Sequence, residues 1–358
     1  MERFIAIDSG KRATKVAEYF PDTDTMRKYS IVTKKSDGDF RDDAIEKNTY
    51  VVEIDGKQYK VGNGARGQGV ELENSKSTEI HRICVLTVLA MLASSHEKDT
   101  IHVGIGLPAN DWANISTKED FKEYILPKGD VTIKIKNSSM KAPQEKTFKI
   151  GRRYCFPESI GAMFAPEVYN EIGPNDITGV LDLGNLNLNA TYWQGVELIQ
   201  DKSVTTEHGA AVLIQNLMQK LKSNVCYCDE RVVANILKSE DKALPVGFGI
   251  TKEQSQLSKK IIKEVMYEHA KEVRRQVNTM KWPLDIMRVV AIGGTSKDLE
   301  VELKEVFKNI KVLSSSEFCN VVGFLRIMCA KDPSLEREIL VSKKQEELPE
   351  DIKEEKAS

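Results

Sequence analysis

Two short acid–glycine motifs, one in each half of the chain, contain residue types that can bind phosphate. Residues 5–19 read IAIDSGKRATKVAEY, and residues 179–193 read GVLDLGNLNLNATYW. In each, an apolar strand leads into Asp-x-Gly, and four residues then separate the glycine from a polar residue that enters a second strand. One such hairpin is a weak signal, because each Asp could simply stabilise a turn. The repetition of the pattern favours a shared function.

These residue types suit the phosphates of a nucleotide and a magnesium ion. Backbone N–H groups at a glycine turn can contact phosphate oxygens without an intervening side chain. Asp8 and Asp182 each end a strand, and they could hold the water shell of Mg²⁺, which prefers carboxylates and keeps several waters. Lys15 would add a compact cation for the outer phosphates, unless it is only a solvated strand residue. Two such hairpins facing each other across a cleft would hold the phosphates from both sides.

A third segment, AIGGTS at 291–296, places two glycines after an apolar strand. Gly293 and Gly294 would let the backbone approach a ligand closely, and the helix that follows would offer its N-terminus. A plain strand-to-helix turn is the alternative interpretation. The chain contains no GxxxxGK[ST], and this segment lacks GxGxxG, so it is neither the usual P-loop nor a dinucleotide fingerprint.

Strand and helix patterns alternate along the chain in two rounds, which predicts two α/β domains. In the first round, strands are predicted near 3–8, 17–19, 51–61, 100–108 and 130–154, with helices over 77–95 and after Pro157. The GPND segment at 173–176 separates the rounds. In the second round, strands are predicted at 177–183, 188–194, 196–201, in MRVVAIGGTS at 287–296 and at 311–313. Helices are predicted at 208–222, 229–238, from Thr251, 297–308 and 315–330.

The composition is that of a globular chain of two ordinary domains: 358 residues, 41% hydrophobic and a net charge of −2. The near-neutral charge argues against direct nucleic-acid binding. The longest apolar run, 85–93, is too short to span a membrane, and the N-terminus does not read as a signal peptide. The six cysteines and five histidines form no disulfide framework or metal-ligand spacing.

Taken in order, these motifs resemble the actin-like ATPases, in particular the bacterial plasmid-segregation type, the ParM group. The resemblance covers roughly residues 3–330 and is supported by YKVGNGA at 59–65, GLP at 106–108, FPESIGA at 156–162 and FCNVVGFL at 318–325. It implies an α/β, actin-like (ribonuclease H-like) two-domain fold with duplicated halves and a nucleotide cleft between them. Domain I would comprise 1–167, completed by a C-terminal helix over 315–338, and domain II 168–314. Residues 339–358 are predicted to be a charged, flexible tail.

The resemblance also implies the roles of individual residues. Glu158 of the PES segment would position the attacking water, and Asp182 would act on that water and on the Mg²⁺ shell. Asp8 is the third implied catalytic residue, and Asp8 and Asp182 would bind the metal through water. The implied cofactors are ATP or GTP with Mg²⁺. The residues that would bind the nucleotide are Asp8, Gly10, Lys11, Lys15, Gly184, Asn185, Asn187, Gly293, Gly294 and Thr295.

Both hairpins depart from the family pattern. Where the family commonly has D-x-G-G-x-T-x-D, this chain places Asn185, Asn187 and Asn189 at the second Gly, the Thr and the second Asp. Asn tolerates left-handed backbone conformations, so the hairpin can survive, but its metal or phosphate affinity could change. Lys11 and Arg12 add positive charge at the first tip, which could tighten triphosphate binding or slow product release.

The function implied by the resemblance is a nucleotide-dependent filament that hydrolyses ATP, or GTP, in the bacterial cytoplasm and segregates plasmid DNA. Its partners would be further copies of itself and a DNA-bound adaptor, with no membrane contact. A soluble small-molecule kinase of the same superfamily is the main alternative, although no substrate-binding insert is visible. A chaperone-type ATPase would need a large region after the nucleotide domains, and a membrane-bound cell-shape filament would need an apolar anchor.

Overall fold

The computed structural model describes residues 1–20, 23–40, 44–67, 75–96, 98–247 and 249–331. The chain divides into two compact units: unit 1 comprises Met1–Asn170 and the chain from Asn320, and unit 2 comprises Glu171–Cys319. The tail predicted at 339–358, and the last part of the helix predicted over 315–338, lie outside the described residues.

Unit 1 contains a nine-stranded mixed sheet with the strand order β3-β2-β1-β7-β9-β8-β5-β6-β4. Its strands are β1 (Glu2–Ser9), β2 (Ala13–Phe20), β3 (Thr25–Val32), β4 (Lys35–Asp37), β5 (Thr49–Ile54), β6 (Lys57–Gly62), β7 (Asp99–Leu107), β8 (Gly129–Asn137) and β9 (Gln144–Pro157). Its helices before unit 2 are α1 (Glu79–Leu92), α2 (Ala109–Ala113), α3 (Ile115–Ile125), α4 (Ile160–Met163) and α5 (Pro166–Tyr169).

The centre of this sheet fixes where the predicted acids lie. Strand β1 pairs in parallel with β7, and β7 pairs in parallel with β9. Parallel central strands are covered on both faces and read as apolar runs, and Ile5, Ile7 and Val103 are accordingly fully buried. Because parallel strands end at the same edge of a sheet, the end of β1 at Asp8 and the residue after β9, Glu158, share that edge.

Unit 2 is built on a five-stranded sheet with the order β12-β11-β10-β13-β14. Its elements are β10 (Ile177–Leu183), β11 (Leu188–Gln194), β12 (Glu197–Thr206), α6 (Ala210–Asn224), α7 (Glu230–Lys238), α8 (Lys252–Thr279), β13 (Arg288–Ile292), α9 (Gly294–Asp298), α10 (Glu300–Val306) and β14 (Ile310–Val312). The chain returns to unit 1 through a 3-10 turn, Ser316–Phe318, and helix α11 (Cys319–Ala330).

Local signals placed several of these elements, but two predicted helices were wrong. The helix predicted after Pro157 is two short helices, α4 and α5, which begin only at Ile160 and Pro166. Asp55 and Gly56 both have positive φ and join β5 to β6, as a two-residue hairpin requires. Thr251 and Gln254 form the reciprocal capping box expected at the start of α8. The single helix predicted over 297–308 is two helices, because the chain leaves helical geometry at Leu299 between α9 and α10.

Two negative predictions from the composition can be compared with the described residues. No helix among them combines the length and the apolar character needed to cross a membrane. All six cysteines lie within the described ranges and are free thiols, with Cys84, Cys319 and Cys329 buried as predicted.

Candidate functional site

The first hairpin places Asp8 at the end of β1, directly opposite Lys15 on β2. Gly10 closes the turn, since its N–H donates to the carbonyl oxygens of Asp8 at 3.0 Å and Ala13 at 3.1 Å. A Cβ atom at Gly10 would lie 3.0 Å from the Ala13 oxygen, closer than ordinary van der Waals contact. The turn therefore favours glycine, and its tip residues are Lys11 and Arg12.

A chain of buried hydroxyl groups supports this hairpin. The Ser9 hydroxyl lies 3.0 Å from that of Thr14, which lies 2.9 Å from that of Thr33. The Ser9 hydroxyl also lies 2.9 Å from Nδ1 of His81 on α1. Buried polar groups that satisfy one another in this way rigidify the backbone that carries them.

His81 stays uncharged in this network. Burial, and secondarily the nearby Lys76 ammonium, lower the pKa of His81 from 6.5 to about 3. Its Nε2 has no hydrogen-bond partner among the described residues. A neutral imidazole is therefore part of the packing beneath the hairpin at neutral pH.

Lys76, which no motif singled out, connects the two acids of unit 1. It is 7% exposed, and its Nζ lies 2.8 Å from Oδ1 of Asp8 and in contact with Oε1 of Glu158. Lys76 stands in a polar stretch just before α1, 68 residues from Asp8 in sequence. Nothing local in the sequence distinguishes it from a solvated lysine, so only the folded chain reveals its partners.

The charges in this cluster support one another. Burial alone would raise the pKa of Asp8, but the charges of Lys76 and Lys15 and the hydrogen bonds outweigh it, and the pKa is lowered. Burial would similarly lower the pKa of Lys76, yet Asp8 and Glu158 raise it above its ordinary value. Asp8 is therefore a carboxylate and Lys76 an ammonium at neutral pH.

Glu158 occupies a constrained connector between β9 and α4. Its N–H donates to the carbonyl oxygen of Leu107 at 2.8 Å, and Glu158 is 6% exposed. The next residue, Ser159, has φ 77° and is fully buried, a left-handed conformation that costs a non-glycine residue free energy. Asn320 of α11 accepts the Ser159 N–H at 3.0 Å and lies 3.5 Å from Oδ2 of Asp8. Asn320 thus contacts both the connector and the first hairpin.

The helices beside the connector cross at two glycines. A Cβ atom at Gly323 of α11 would lie 2.2 Å from Cα of Gly161 in α4. Only glycine permits this approach, and it is what brings Asn320 against the connector.

The second hairpin has the same register as the first but different support. Asp182 on β10 pairs with Asn189 on β11, and the Gly184 N–H donates to the carbonyl oxygen of Asn187 at 2.9 Å. The turn rests on the first residues of α6, because Ala210 donates to Gly184 at 3.1 Å and Ala211 to Asn185 at 2.7 Å. These two helix N–H groups donate to the hairpin and are therefore not available to a ligand.

The glycine segment after β13 packs on this hairpin. Gly293 has φ +90°, and a Cβ atom there would lie 2.4 Å from the Leu183 oxygen and 2.8 Å from Oδ1 of Asp182. The Thr295 hydroxyl donates to the Gly184 carbonyl oxygen at 3.1 Å. By contrast, a Cβ atom at Gly294 would meet nothing within 4 Å. The fold therefore groups Asp182, Gly184, Gly293 and Thr295.

The backbone N–H groups left for a ligand differ from those first expected. The N–H groups of Gly10 and Gly184 close their own turns and do not point into open space. Among the described residues, no partner accepts a hydrogen bond from the N–H of Arg12, Asn185 or Leu186. These N–H groups follow each turn glycine by one or two residues, and phosphate oxygens could accept hydrogen bonds from them.

The predicted residues thus form one group in each unit. In unit 1, Asp8 and Glu158 share Lys76, Lys15 lies opposite Asp8, and Lys11 is half-buried at the tip. In the described part of the chain, no three His, Cys, Asp or Glu side chains could together hold a metal ion. Asp8 and Asp182 each stand next to the last residue of a strand, and such single carboxylates fit a magnesium ion held through water rather than by direct coordination.

Comparisons with known proteins agree with this architecture. Residues 6–161 match the family model for the N-terminal domain of actin-like proteins. No curated protein sequence is similar enough to match.

Three solved structures illustrate the structural likeness. The Alp12 filament structure is 23% identical, with 92% of this chain and 99% of that chain covered and a TM-score of 0.68. A non-polymerisable quadruple mutant of pCBH ParM is 18% identical, with the same coverage and a TM-score of 0.70. The archaeal actin homologue Ta0583, in complex with ADP, is 14% identical over 91% and 99% of the two chains, with a TM-score of 0.69. Residues 6–161 are thus similar to the N-terminal domain of actin-like proteins, and the chain as a whole has the actin-like fold seen in solved ParM-type structures.

Proposed function

We propose that this chain is a nucleotide-dependent polymerising protein that binds and hydrolyses ATP or GTP in the cytoplasm. The observation that carries the proposal is the duplicated hairpin on an actin-like fold, with Asp8 in one unit and Asp182 in the other. Solved relatives of this fold include a filament and an ADP complex. The function follows from these likenesses together with the residues present, and each role below is part of the proposal.

In unit 1, Glu158 would position and polarise the attacking water. A general base must lie within hydrogen-bond reach of that water, and the connector is fixed by the Glu158 N–H and by Asn320, which accepts from the Ser159 N–H. Lys15 and Lys11 would neutralise the charge that develops on the transferred phosphoryl group.

In unit 2, the N–H groups of Asn185 and Leu186 would bind phosphate oxygens, with Asp182 beside them. Gly293 and Gly294 would contact the adenosine or guanosine part, since Gly294 has open space in place of a side chain. Mg²⁺ would be held through water by Asp8 and Asp182, and it would neutralise phosphate charge when bound.

Polymerisation is the experiment that tests the proposal. Purified protein would be followed by light scattering and pelleting with Mg²⁺ and ATP, GTP, ADP or no nucleotide. We expect scattering that requires a triphosphate and decays as phosphate is released. Absence of assembly at every concentration, with hydrolysis only after addition of a small substrate, would contradict the filament and favour a small-molecule kinase.

Segregation of plasmid DNA through a DNA-bound adaptor is the cellular role that we propose. Its support is the likeness to ParM-type proteins and a net charge of −2, which leaves DNA recognition to a partner. Pull-down of such an adaptor by assembled filaments, but not by unassembled protein, would test it.

A further inference from the structure

Lys76 joins the two acids of unit 1 through one buried ammonium group. Its Nζ contacts Oδ1 of Asp8 and Oε1 of Glu158, and the exposed side-chain fractions of the three residues are 8%, 13% and 8% in that order. Charged groups at this depth are stable only when paired. The cluster therefore holds two carboxylates that share one ammonium group.

The three residues in direct contact, Asp8, Glu158 and Lys76, have a net negative formal charge. Asp8 and Glu158 contribute two negative charges and Lys76 one positive charge. Beyond these direct contacts, Lys15 acts on Asp8 as a neighbouring charge, Lys11 acts on His81 in the same way, and His81 itself is neutral. Removal of Lys76 would leave two close carboxylates that repel each other and favour any divalent cation in solution.

We infer that Lys76 is a positioning residue of the hydrolytic site, which fixes the Glu158 carboxylate relative to Asp8 and supplies the positive charge that a divalent cation would otherwise supply. The link to hydrolysis rests on the proposed function. The charge relationship rests only on contacts within unit 1. Lys76 therefore holds the two acids together through its own charge.

A buried ion pair with no such role predicts a different response to Mg²⁺. In that case, loss of Lys76 lowers stability by the same amount with and without Mg²⁺. Lys146 provides the matched control, because it lies in the same unit, is 6% exposed and donates to the Ala93 carbonyl oxygen at 3.0 Å. No carboxylate of the described residues lies within ion-pair distance of it.

The test is thermal unfolding of the nucleotide-free, full-length protein, with about 10 mM MgCl2 or with NaCl of equal ionic strength. We expect Lys76→Met to lower Tm by on the order of 10 °C, and Mg²⁺ to restore about 4 °C of that loss. Wild type and Lys146→Met should gain less than about 1 °C from Mg²⁺. Loss of Lys76 with no Mg²⁺ response would overturn the inference.

Two further variants keep the test decisive if Lys76→Met does not fold. The double variant Lys76→Met/Glu158→Gln removes one of the two carboxylates, so it should unfold at a higher temperature than Lys76→Met and respond less to Mg²⁺. Lys76→Arg retains the charge and should remain insensitive to Mg²⁺. A double variant no more stable than the single one, or Lys76→Arg stabilised by Mg²⁺, would contradict the charge relationship.

Hydrolysis separates this inference from the proposed function. If wild type binds no nucleotide, the proposed function fails, while the unfolding experiment still decides whether Lys76 replaces a divalent cation. If wild type hydrolyses nucleotide, Lys76→Met should lose at least about 10-fold in kcat and Lys76→Arg should recover part of it. Equal kcat for wild type and Lys76→Met would show that Lys76 does not position Glu158.

Discussion

The two hairpins share a strand–acid–turn–strand pattern, yet the fold supports them by different physical means. In unit 1, Asp8 is held by the Lys76 ammonium above a chain of buried hydroxyl groups. In unit 2, the turn at Asp182 is held by close backbone packing, with Gly293 against Leu183 and α6 against the turn carbonyls. One hairpin depends mainly on charge and the other mainly on shape.

This difference predicts how each hairpin should fail. A charge-supported acid should respond to ions, pH and isosteric neutral substitutions, because Coulomb energy depends on all three. A shape-supported acid should respond to added volume, because a closely packed backbone cannot give way. The two hairpins thus have the order of strand, acid and turn in common, but not the contacts that support it.

The largest effect is expected at Gly293 in unit 2. Gly293→Ala must place a Cβ atom 2.4 Å from the Leu183 oxygen at φ +90°, so we expect a loss of at least about 3 kcal/mol in the free energy of unfolding. Gly294→Ala is the control: its Cβ would meet nothing within 4 Å, and it should change stability by less than about 1 kcal/mol. Denaturant titration measures both. Similar stabilities for the two variants would contradict the explanation that close packing at Gly293 supports the second hairpin.

The next largest effect is expected in unit 1, where the first hairpin is supported by charge. Glu158→Gln keeps the shape of the connector but removes the proposed base, so phosphate release should slow about 100-fold, while the nucleotide affinity should change less than about threefold. Phosphate release and equilibrium binding would be measured on the same preparation. Hydrolysis at the wild-type rate would show that the connector acid does not act on the water.

A smaller effect should follow from pH, and it involves one buried histidine in each unit. The folded-state pKa is about 3 for His81 and about 4 for His269, mainly because both are buried. An unfolded histidine takes up a proton near pH 6.5. The free energy of unfolding that the two neutral histidines contribute is therefore fully present above pH 6.5. It falls as the pH drops below that value, by about 2 kcal/mol per histidine between pH 7 and 5.

Single substitutions separate the two contributions to this pH dependence. His81→Gln should flatten the dependence in unit 1, and His269→Gln that in unit 2. Denaturant titrations at pH 7 and pH 5 provide the measurement. A variant that keeps the full wild-type pH dependence would show that its histidine is already protonated in the folded protein.

The smallest effect is a gain at the connector. Ser159 is buried at φ 77°, and its hydroxyl has no partner among the described residues. Ser159→Gly relieves the backbone strain without removing a bond, so it should raise the free energy of unfolding by up to about 1 kcal/mol. Ser159→Ala keeps the strained φ and should gain less. A loss of stability in Ser159→Gly would mean that the hydroxyl has a role that its surroundings do not show.

Much of this architecture could be predicted from local sequence signals. The hairpin of β5 and β6 was visible in its Asp55–Gly56 turn, and the start of α8 in its capping box. The actin-like fold was predicted by resemblance and agrees with the family match over 6–161 and with the solved structures. The roles of the site residues stay predictions.

What the sequence could not supply are contacts between distant segments. The parallel pairing that places β7 between β1 and β9 depends on burial along whole strands and leaves no local signature. Lys76 joins Asp8 across 68 residues, and in sequence it stands among polar residues like any solvated lysine. The break between α9 and α10 was missed because Leu299 continues the apolar pattern although its backbone is not helical.

The central proposal is that each hairpin, despite its different support, takes part in nucleotide binding. Equilibrium binding of Mg²⁺-ATP and Mg²⁺-GTP to wild type, Asp8→Asn and Asp182→Asn tests it most directly. The account predicts that each substitution weakens binding of the preferred nucleotide at least about 10-fold, since each removes a carboxylate that we propose to act on the hydrated metal. Wild-type affinity in either variant would contradict the account, because the corresponding hairpin would then take no part in binding.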